Sequence, residues 1–386
     1  MIELEEYLNS KIGTSINKNL NLLKTAFTRP QLAELSDRTI AIVGTNGKTS
    51  TANYIHQLLK QNKKSCLTFT SPHLVEYEER IKSDNDLNLQ NQFNFVKNFE
   101  KKNKITLGYF ESLFLLACQL FLEGEYDYFL CEAGIGGKLD TTSIIQSKNV
   151  VLTNIGKDHQ DLLGDTDENV LDQKIYISNN IENLYVGDIN KELKNLIKNK
   201  YPHCKVKYFL NDQAKALNVD INDFLANQKN YLLALNTVSS LLNIDITNEA
   251  RSLNFESVEG RFEIISQNPI KILDGAHNYD GVKHLLQDYE KLYNFSQTDV
   301  FIGFKRGKDV ESIISFINSK NRYAINVVEN NTFYDQENPA EYLDYFQKLN
   351  IKHQVVSLDA FSSNKKPSIL LGSLYLIGEY KKRKLL

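Results

Sequence analysis

Cysteine is scarce and scattered in this sequence. The 386 residues hold four, Cys66, Cys118, Cys131 and Cys204, and no two of them form a CxxC pair. That spacing argues against a zinc ribbon, a thiol redox motif and a disulfide framework, so buried free thiols are expected, three of them in apolar surroundings. Charge of one sign is missing as well. With 45 Lys and Arg against 48 Asp and Glu the net charge is −3, which leaves no electrostatic footprint for nucleic acid or an anionic membrane. The basic run Lys381 to Lys384 is too short to change this. No window reaches the roughly 18 uninterrupted apolar residues of a membrane span. The opening MIELEEYLNS carries acidic residues where a signal peptide needs an apolar core, so a soluble, cytoplasmic protein is expected.

Fixed-period repeats and long low-complexity linkers are absent too, and what fills the chain instead is an alternation of strand and helix patterns. Its length exceeds the roughly 250 to 300 residues at which single cores stop growing, so two domains are expected. RTIAIV (38–43), SCLTFT (65–70), YDYFLCEAG (126–134) and NVVLTNIG (149–156) read as strands. TANYIHQLLK (51–60), the apolar stretch 109–123 and QKNYLLALNTVSSLL (228–242) read as helices, while 1–36 is polar and helical and 166–200 helical and mixed. After ESVEGRFEII the rhythm restarts with IKILDGA, DVFIGF, YAINVVE, KHQVVSL and SILLGSL. Such alternation predicts an α/β fold with mostly parallel sheets, an N-terminal domain over 1–258 and a smaller Rossmann-like domain over 261–386.

Chemistry begins at GTNGKTST, residues 44–51. A glycine-bearing turn between a strand and a helix aims consecutive N–H groups at an anion, so Gly44, Thr45, Asn46 and Gly47 are candidate phosphate contacts. Lys48 would reach the β- and γ-phosphates, and Thr49 and Ser50 place hydroxyls where such loops touch phosphate or Mg²⁺. The first glycine of the common phosphate-loop pattern is replaced by Ile42. A simple capping turn is the plain alternative, but it requires no lysine.

Three further loops follow strands. CEAGIGGKLDTTS puts Glu132 at a strand's C-terminal end, where ligands gather in open α/β sheets and where a carboxylate suits Mg²⁺. TNIGKDHQDLLG sets His159 between Asp158 and Asp161, so a carboxylate could hold one tautomer while the other nitrogen ligates a metal. SPHLVEYEERI supplies Ser71 and His73. In the second half, Arg261 in GRFE stands at the expected domain junction and Asp274, His277 and Asn278 in ILDGAHN at the mouth of the second sheet's first strand, and an arginine at that junction suits a transition-state clamp on phosphate. Taken singly, each has an ordinary reading as a capped turn, a solvated loop or a surface ion pair.

Together, in this order, the motifs resemble the folylpolyglutamate synthase and dihydrofolate synthase enzymes of the Mur-ligase superfamily. GTNGKT marks only the superfamily, whereas SPHLxxYxERI and ExGxGGxLDxT favour its folate branch. The resemblance implies a P-loop ATPase domain followed by a Rossmann-like domain, and a ligase in which ATP phosphorylates a pteroate or folate carboxylate before the amine of L-glutamate displaces phosphate. It further implies ATP as co-substrate and Mg²⁺, with two ions, and leaves open a monovalent cation. The acceptor would be dihydropteroate or tetrahydrofolate, and the enzyme a monomer. Residue by residue, the implied catalytic set is Lys48, Lys174, His159 and Arg261, and the implied metal ligands are Ser71, Glu132 and His159. Lys174 matches a lysine that is carbamylated in relatives. Asn230 matches an adenine contact, and Arg261, Asp274 and His277 match ATP contacts from the second domain. The pterin pocket is assigned to His73, Arg80, Tyr109 and Phe110.

Departures from that pattern are specific. Thr49 stands where the folate branch has glycine and the cell-wall branch has a hydroxyl, DQKIYI replaces REKAGI around Lys174, and residues 205–227 and the segment after Ile81 look shortened. A cell-wall ligase acting on a UDP-muramoyl acceptor and a non-catalytic nucleotide-binding module are the competing readings. A GTPase fits DLLG (161–164) but lacks an NKxD motif.

Overall fold

The computed structural model describes residues 2–12, 19–208, 223–245, 253, 255–329 and 332–385. Most of the stretch expected to be shortened, 205–227, therefore lies outside the described residues. The chain divides into two compact units: Met1–Ser71, Tyr77–Phe224 and Gln228–Phe255 form one, and Pro72–Glu76, Leu225–Asn227 and Glu256–Leu386 form the other.

Strand β1 (Thr39–Val43) reads TIAIV and is buried at every position. Four of its five residues are β-branched, the composition of a strand covered on both faces. It pairs in parallel with β4 (Tyr128–Glu132) on one side and β5 (Asn149–Asn154) on the other. With β2 (Cys66–Phe69), β3 (Ile81–Ser83), β6 (Asn183–Asp188) and β7 (Lys205–Tyr208) it builds a sheet of order β3-β2-β4-β1-β5-β6-β7, antiparallel only at β3. Strand β6 lies inside the span read as helical and mixed. Its sequence NLYVGD offers only three consecutive apolar-to-aromatic positions, too few for periodicity to separate strand from helix.

Helices numbered in chain order are α1 (Ile2–Asn9), α2 (Leu20–Lys24), α3 (Arg29–Arg38), α4 (Lys48–Gln61), α5 (Leu89–Asn103), α6 (Tyr109–Glu123), α7 (Gln160–Leu163), α8 (Asp167–Ile175), α9 (Lys191–Lys200) and α10 (Ala226–Leu242). Local chemistry starts α3 just before β1. Thr28 and Gln31 exchange the reciprocal bonds of a capping box and Pro30 occupies the first turn, where its missing N–H costs nothing. Leu113, Phe114, Ala117 and Phe121 of α6 bury against Leu67, Phe69, Phe129 and Cys131 in one core. Leu171 and Ile175 of α8, with Leu193 and Ile197 of α9, bury against Ala41, Val43, Val150 and Val186 in another. Each such side chain contributes about 1.5–3 kcal/mol relative to exposure. All four cysteines are free and buried, one more than the three whose apolar contexts predict it.

The second unit repeats the plan. Strands β8 (Glu263–Gln267), β9 (Ile270–Asp274), β10 (Thr298–Ile302), β11 (Tyr323–Val328), β12 (His353–Val356) and β13 (Ser368–Leu371) are ordered β12-β11-β10-β13-β9-β8, antiparallel only at β8. Crossover helices α11 (Tyr279–Leu292), α12 (Val310–Ser319) and α13 (Pro339–Lys348) each follow a parallel strand, and α14 (Asp359–Ser363) and α15 (Leu374–Leu385) complete the unit. Leu74, from the short Pro72–Glu76 stretch, packs against a core of Leu273, Phe301, Leu370, Leu374 and Ile377. Among the described residues no helix is long and apolar enough to cross a membrane.

Candidate functional site

In the first unit, the loops at the C-terminal ends of β1, β4 and β5 carry most of the residues singled out from sequence. The β1–α4 turn is held by the strand beside it. Thr45 N donates to Asn154 O at 3.1 Å, Asn46 N to Asn154 Oδ1 at 2.9 Å, and Thr153 Oγ1 to Asn46 O at 2.6 Å. Gly47 ends the turn at φ 81°, the left-handed region, and a Cβ there would stand 2.6 Å from Asn230 Oδ1. The positive φ favours glycine at this position. The close approach seats Asn230, on α10, directly against the loop.

Lys48 folds back over its own turn. Its Nζ donates to Gly44 O at 3.1 Å and Thr45 O at 3.2 Å. Lys174, on α8, reaches the same carbonyl: its Nζ donates to Gly44 O at 2.9 Å, and the side chain is 3% exposed. Two lysines thus share one backbone oxygen. Burial first, and Lys48 second, bring the Lys174 amine down to about 7, against the opposing pull of Asp158.

Glu132 closes the group. It is buried, accepts from Thr49 Oγ1 at 3.0 Å on each carboxylate oxygen, and accepts from Ser71 N at 3.1 Å. Thr49, the departure from the folate pattern, is therefore bonded to the candidate metal carboxylate. His159 caps α7 with φ 51°, and its Nε2 stands 3.8 Å from Asp158 Oδ1. Among the described residues, no three His, Cys, Asp or Glu side chains gather to hold a metal. What converges at Glu132 is its own carboxylate, the Thr49 hydroxyl and the Ser71 N–H, and the oxygen donors among them suit hard Mg²⁺ rather than a soft metal.

Arg80 is buried with its guanidinium 4.8 Å from the Tyr109 ring centroid, and Phe110 packs edge-on against Phe69 at 5.3 Å. The structure thus brings Arg80, Tyr109 and Phe110 into the first unit. His73 falls instead in the second unit, where its ring stands 6.2 Å from that of Tyr375. The reason is Leu74, whose apolar side chain draws the short stretch into that unit's core.

The second unit collects Arg261, Asp274 and His277 at the mouth of β9. Asp274 accepts from Phe262 N and Ala276 N at 2.7 Å each, and His277 Nδ1 meets Gly275 O at 2.8 Å. Loss of solvent pushes the Asp274 carboxyl up, opposed by Arg261 and the two N–H donors. Asn227 Nδ2 donates to Arg261 O at 3.1 Å, and Asn278 caps α11.

With this geometry in view, the family follows from comparison. The model described as Mur ligase middle domain matches residues 42–247, more than half of the chain. The chain belongs to the Mur ligase family. Its curated relatives include the dihydrofolate synthase/folylpolyglutamate synthase of Buchnera aphidicola subsp. Schizaphis graminum, 29% identical over 333 residues covering 81% of this chain and 79% of the relative. The protein of the same name from Escherichia coli is 26% identical, covering 81% and 78%. A crystal structure of bifunctional folylpolyglutamate synthase/dihydrofolate synthase from Yersinia pestis, complexed with AMPPNP and Mn ion, superposes with a TM-score of 0.80 at 21% identity, covering 100% of this chain and 98% of that one. The two-unit α/β architecture is therefore the Mur ligase fold.

Sequence reasoning missed one residue that shapes this Mur ligase site. Asp140 is buried, accepts from Gly134 N and Ile135 N at 3.1 Å each, and accepts from Thr142 N at 3.0 Å and Thr142 Oγ1 at 2.6 Å. It pins the glycine turn that follows Glu132. The signal was present in GGKLDTT, because an Asp two residues before Thr is a turn and cap former. Asp140→Ala should leave the buried Thr142 N–H and the partly exposed Gly134 and Ile135 N–H groups without their carboxylate partner and cost about 1–3 kcal/mol, read as a lower urea midpoint at unchanged m-value. A midpoint within error of wild type would contradict the role.

Proposed function

We propose that the chain is an ATP-dependent ligase that joins L-glutamate to the carboxylate of a pteroate or folate acceptor. One observation supports it above the others: a phosphate loop, a buried Glu132 and a buried amine at Lys174 meet around Thr49 and Gly44 O. A carboxylate is a poor electrophile. In the proposed reaction an acceptor carboxylate oxygen attacks the γ-phosphorus of ATP, the bridging P–O bond breaks and ADP leaves. The glutamate amine then adds to the acyl carbon, inorganic phosphate departs, and the nitrogen releases its proton.

In this reading the loop N–H groups and Lys48 hold and orient the β- and γ-phosphates. Asn230 would contact adenine beside the loop, and Arg261, Asp274 and His277 would contact ATP from their own unit. Ser71, Glu132 and His159, with Thr49, would hold Mg²⁺. Mg²⁺ held there, two ions in this reading, would supply positive charge to offset that of the transferring phosphoryl group. The lowered affinity of Lys174 for protons leaves much of it as free amine near neutral pH, the form that adds CO₂ to give a carbamate. Arg80, Tyr109 and Phe110, with His73 from its own unit, would contact the pterin acceptor, and a cytoplasmic monomer would be the working form. The chain would be organised as an ATPase and folate-binding domain over 1–258 and a ligase domain over 261–386.

Thr49 supports a second reading. A hydroxyl after the loop lysine is the cell-wall pattern, and here it is bonded to Glu132. One assay separates the two. Purified protein should release phosphate from ATP only when L-glutamate and dihydropteroate or tetrahydrofolate are both present. Release that requires a UDP-muramoyl acceptor, or that ignores glutamate, would overturn the folate reading. Comparing the two pterin acceptors tells dihydrofolate synthesis from chain extension.

A further inference from the structure

The helix carrying Lys174 ends against an aromatic residue held from two sides. On one side is the glycine turn that follows Glu132. Lys138 N donates to Gln173 O at 2.7 Å, and Lys138 Nζ lies 5.5 Å from the Tyr176 ring centroid. The approach is so close that a Cβ on Gly137 would stand 2.4 Å from Lys174 O. On the other side is the end of α9. The Tyr201 ring meets Tyr176 edge-on at 6.1 Å, and the preceding Lys200 pairs with Asp172 at 2.8 Å.

Helix α8 needs such support. It has nine residues, too few to be stable alone, and it ends without a glycine cap: Tyr176 sits at φ −66°. Its last turn contains Lys174, whose amine must be seated within hydrogen-bond reach of Gly44 O. The sequence DQKIYI places a large ring two residues after that lysine, where the related pattern has glycine. We propose that Tyr176, 40% exposed and flanked by Lys138 and Tyr201, is a positioning residue that sets how Lys174 seats against the phosphate loop. Loss of the ring releases both contacts, and the last turn of α8 can then shift relative to Gly44. Displacements of about 1 Å at reacting groups cost up to roughly a hundredfold in rate, so a small shift suffices.

The kinetic part of this proposal rests on the ligase reading, and a second readout does not. The test compares wild type, Tyr176→Ala and Tyr176→Phe. Lysine reactivity toward acetic anhydride is measured by mass spectrometry, alongside kcat and KM for ATP in glutamate ligation. Tyr176→Ala should label Lys174 about tenfold faster, and lower kcat about tenfold with KM for ATP within about twofold. Tyr176→Phe keeps the ring and should match wild type in both. Unchanged Lys174 labelling in Tyr176→Ala overturns the proposal, as does a Tyr176→Phe variant as impaired as the alanine one. Equal labelling gains at lysines far from α8, such as Lys271, would show general loosening and also overturn it. Wild-type protein that ligates no glutamate would sink the ligase reading, while the labelling comparison would still decide the role of Tyr176.

Discussion

Replacing Lys48 by alanine is expected to lower kcat for glutamate ligation about a thousandfold, the scale on which preorganised charge stabilises a phosphoryl group in transfer. Lys48 is the loop's only lysine, and its Nζ is already held over the turn by Gly44 O and Thr45 O. The ammonium is thus kept beside the loop N–H groups that would take the phosphates. Glu132→Ala should lose activity on a similar scale for a different reason. It removes a carboxylate that organises Thr49 and Ser71 N, so the groups proposed to hold the cation lose their common anchor. The two variants separate in their response to metal. Raising Mg²⁺ should recover part of the Glu132→Ala loss and none of the Lys48→Ala loss. Phosphate-release kinetics across a Mg²⁺ titration, with circular dichroism to confirm the fold, decide the matter. Turnover within about tenfold of wild type in either variant at ordinary Mg²⁺ would contradict the role given to that residue.

How much of this was legible in the sequence depends on the range of the contact. The strand, turn and helix from Thr39 to Gln61 could be read directly, because burial on both faces writes a continuous apolar run and the turn favours glycine at Gly47. Glu132 was legible by position, since a carboxylate closing an apolar strand stands at the ligand-binding edge of the sheet. Contacts between distant loops were not. Asn154 and Thr153 hold the phosphate loop through bonds spanning more than a hundred residues, and no local pattern announces them. His73 and Arg80 lie seven apart in one motif yet belong to different units, because a single leucine between them finds its apolar partners elsewhere.

Lys174→Met should remove most ligation and, at the same time, make the protein more stable below pH 7. The side chain is buried, and its amine titrates near 7 in the folded chain, against about 10.4 when unfolded. Between those values the unfolded state binds more protons than the folded one, so stability of the wild type rises with pH across the window. Below about pH 7 the whole penalty for burying a cation beside Lys48 is present, and above about pH 10.4 it is gone. Methionine keeps the volume and carries no charge. The variant should therefore exceed wild type by about 2–4 kcal/mol at pH 6, in bicarbonate-free buffer, and the gap should shrink steadily toward pH 10. Urea unfolding at several pH values measures it. A gap that is flat with pH, or a methionine variant less stable at pH 6, would mean that Lys174 does not titrate low. Its amine would then be protonated at neutral pH and unavailable for carbamate formation, and its hold on Gly44 O would be a structural strut in a site whose chemistry lies with Lys48 and Glu132 alone.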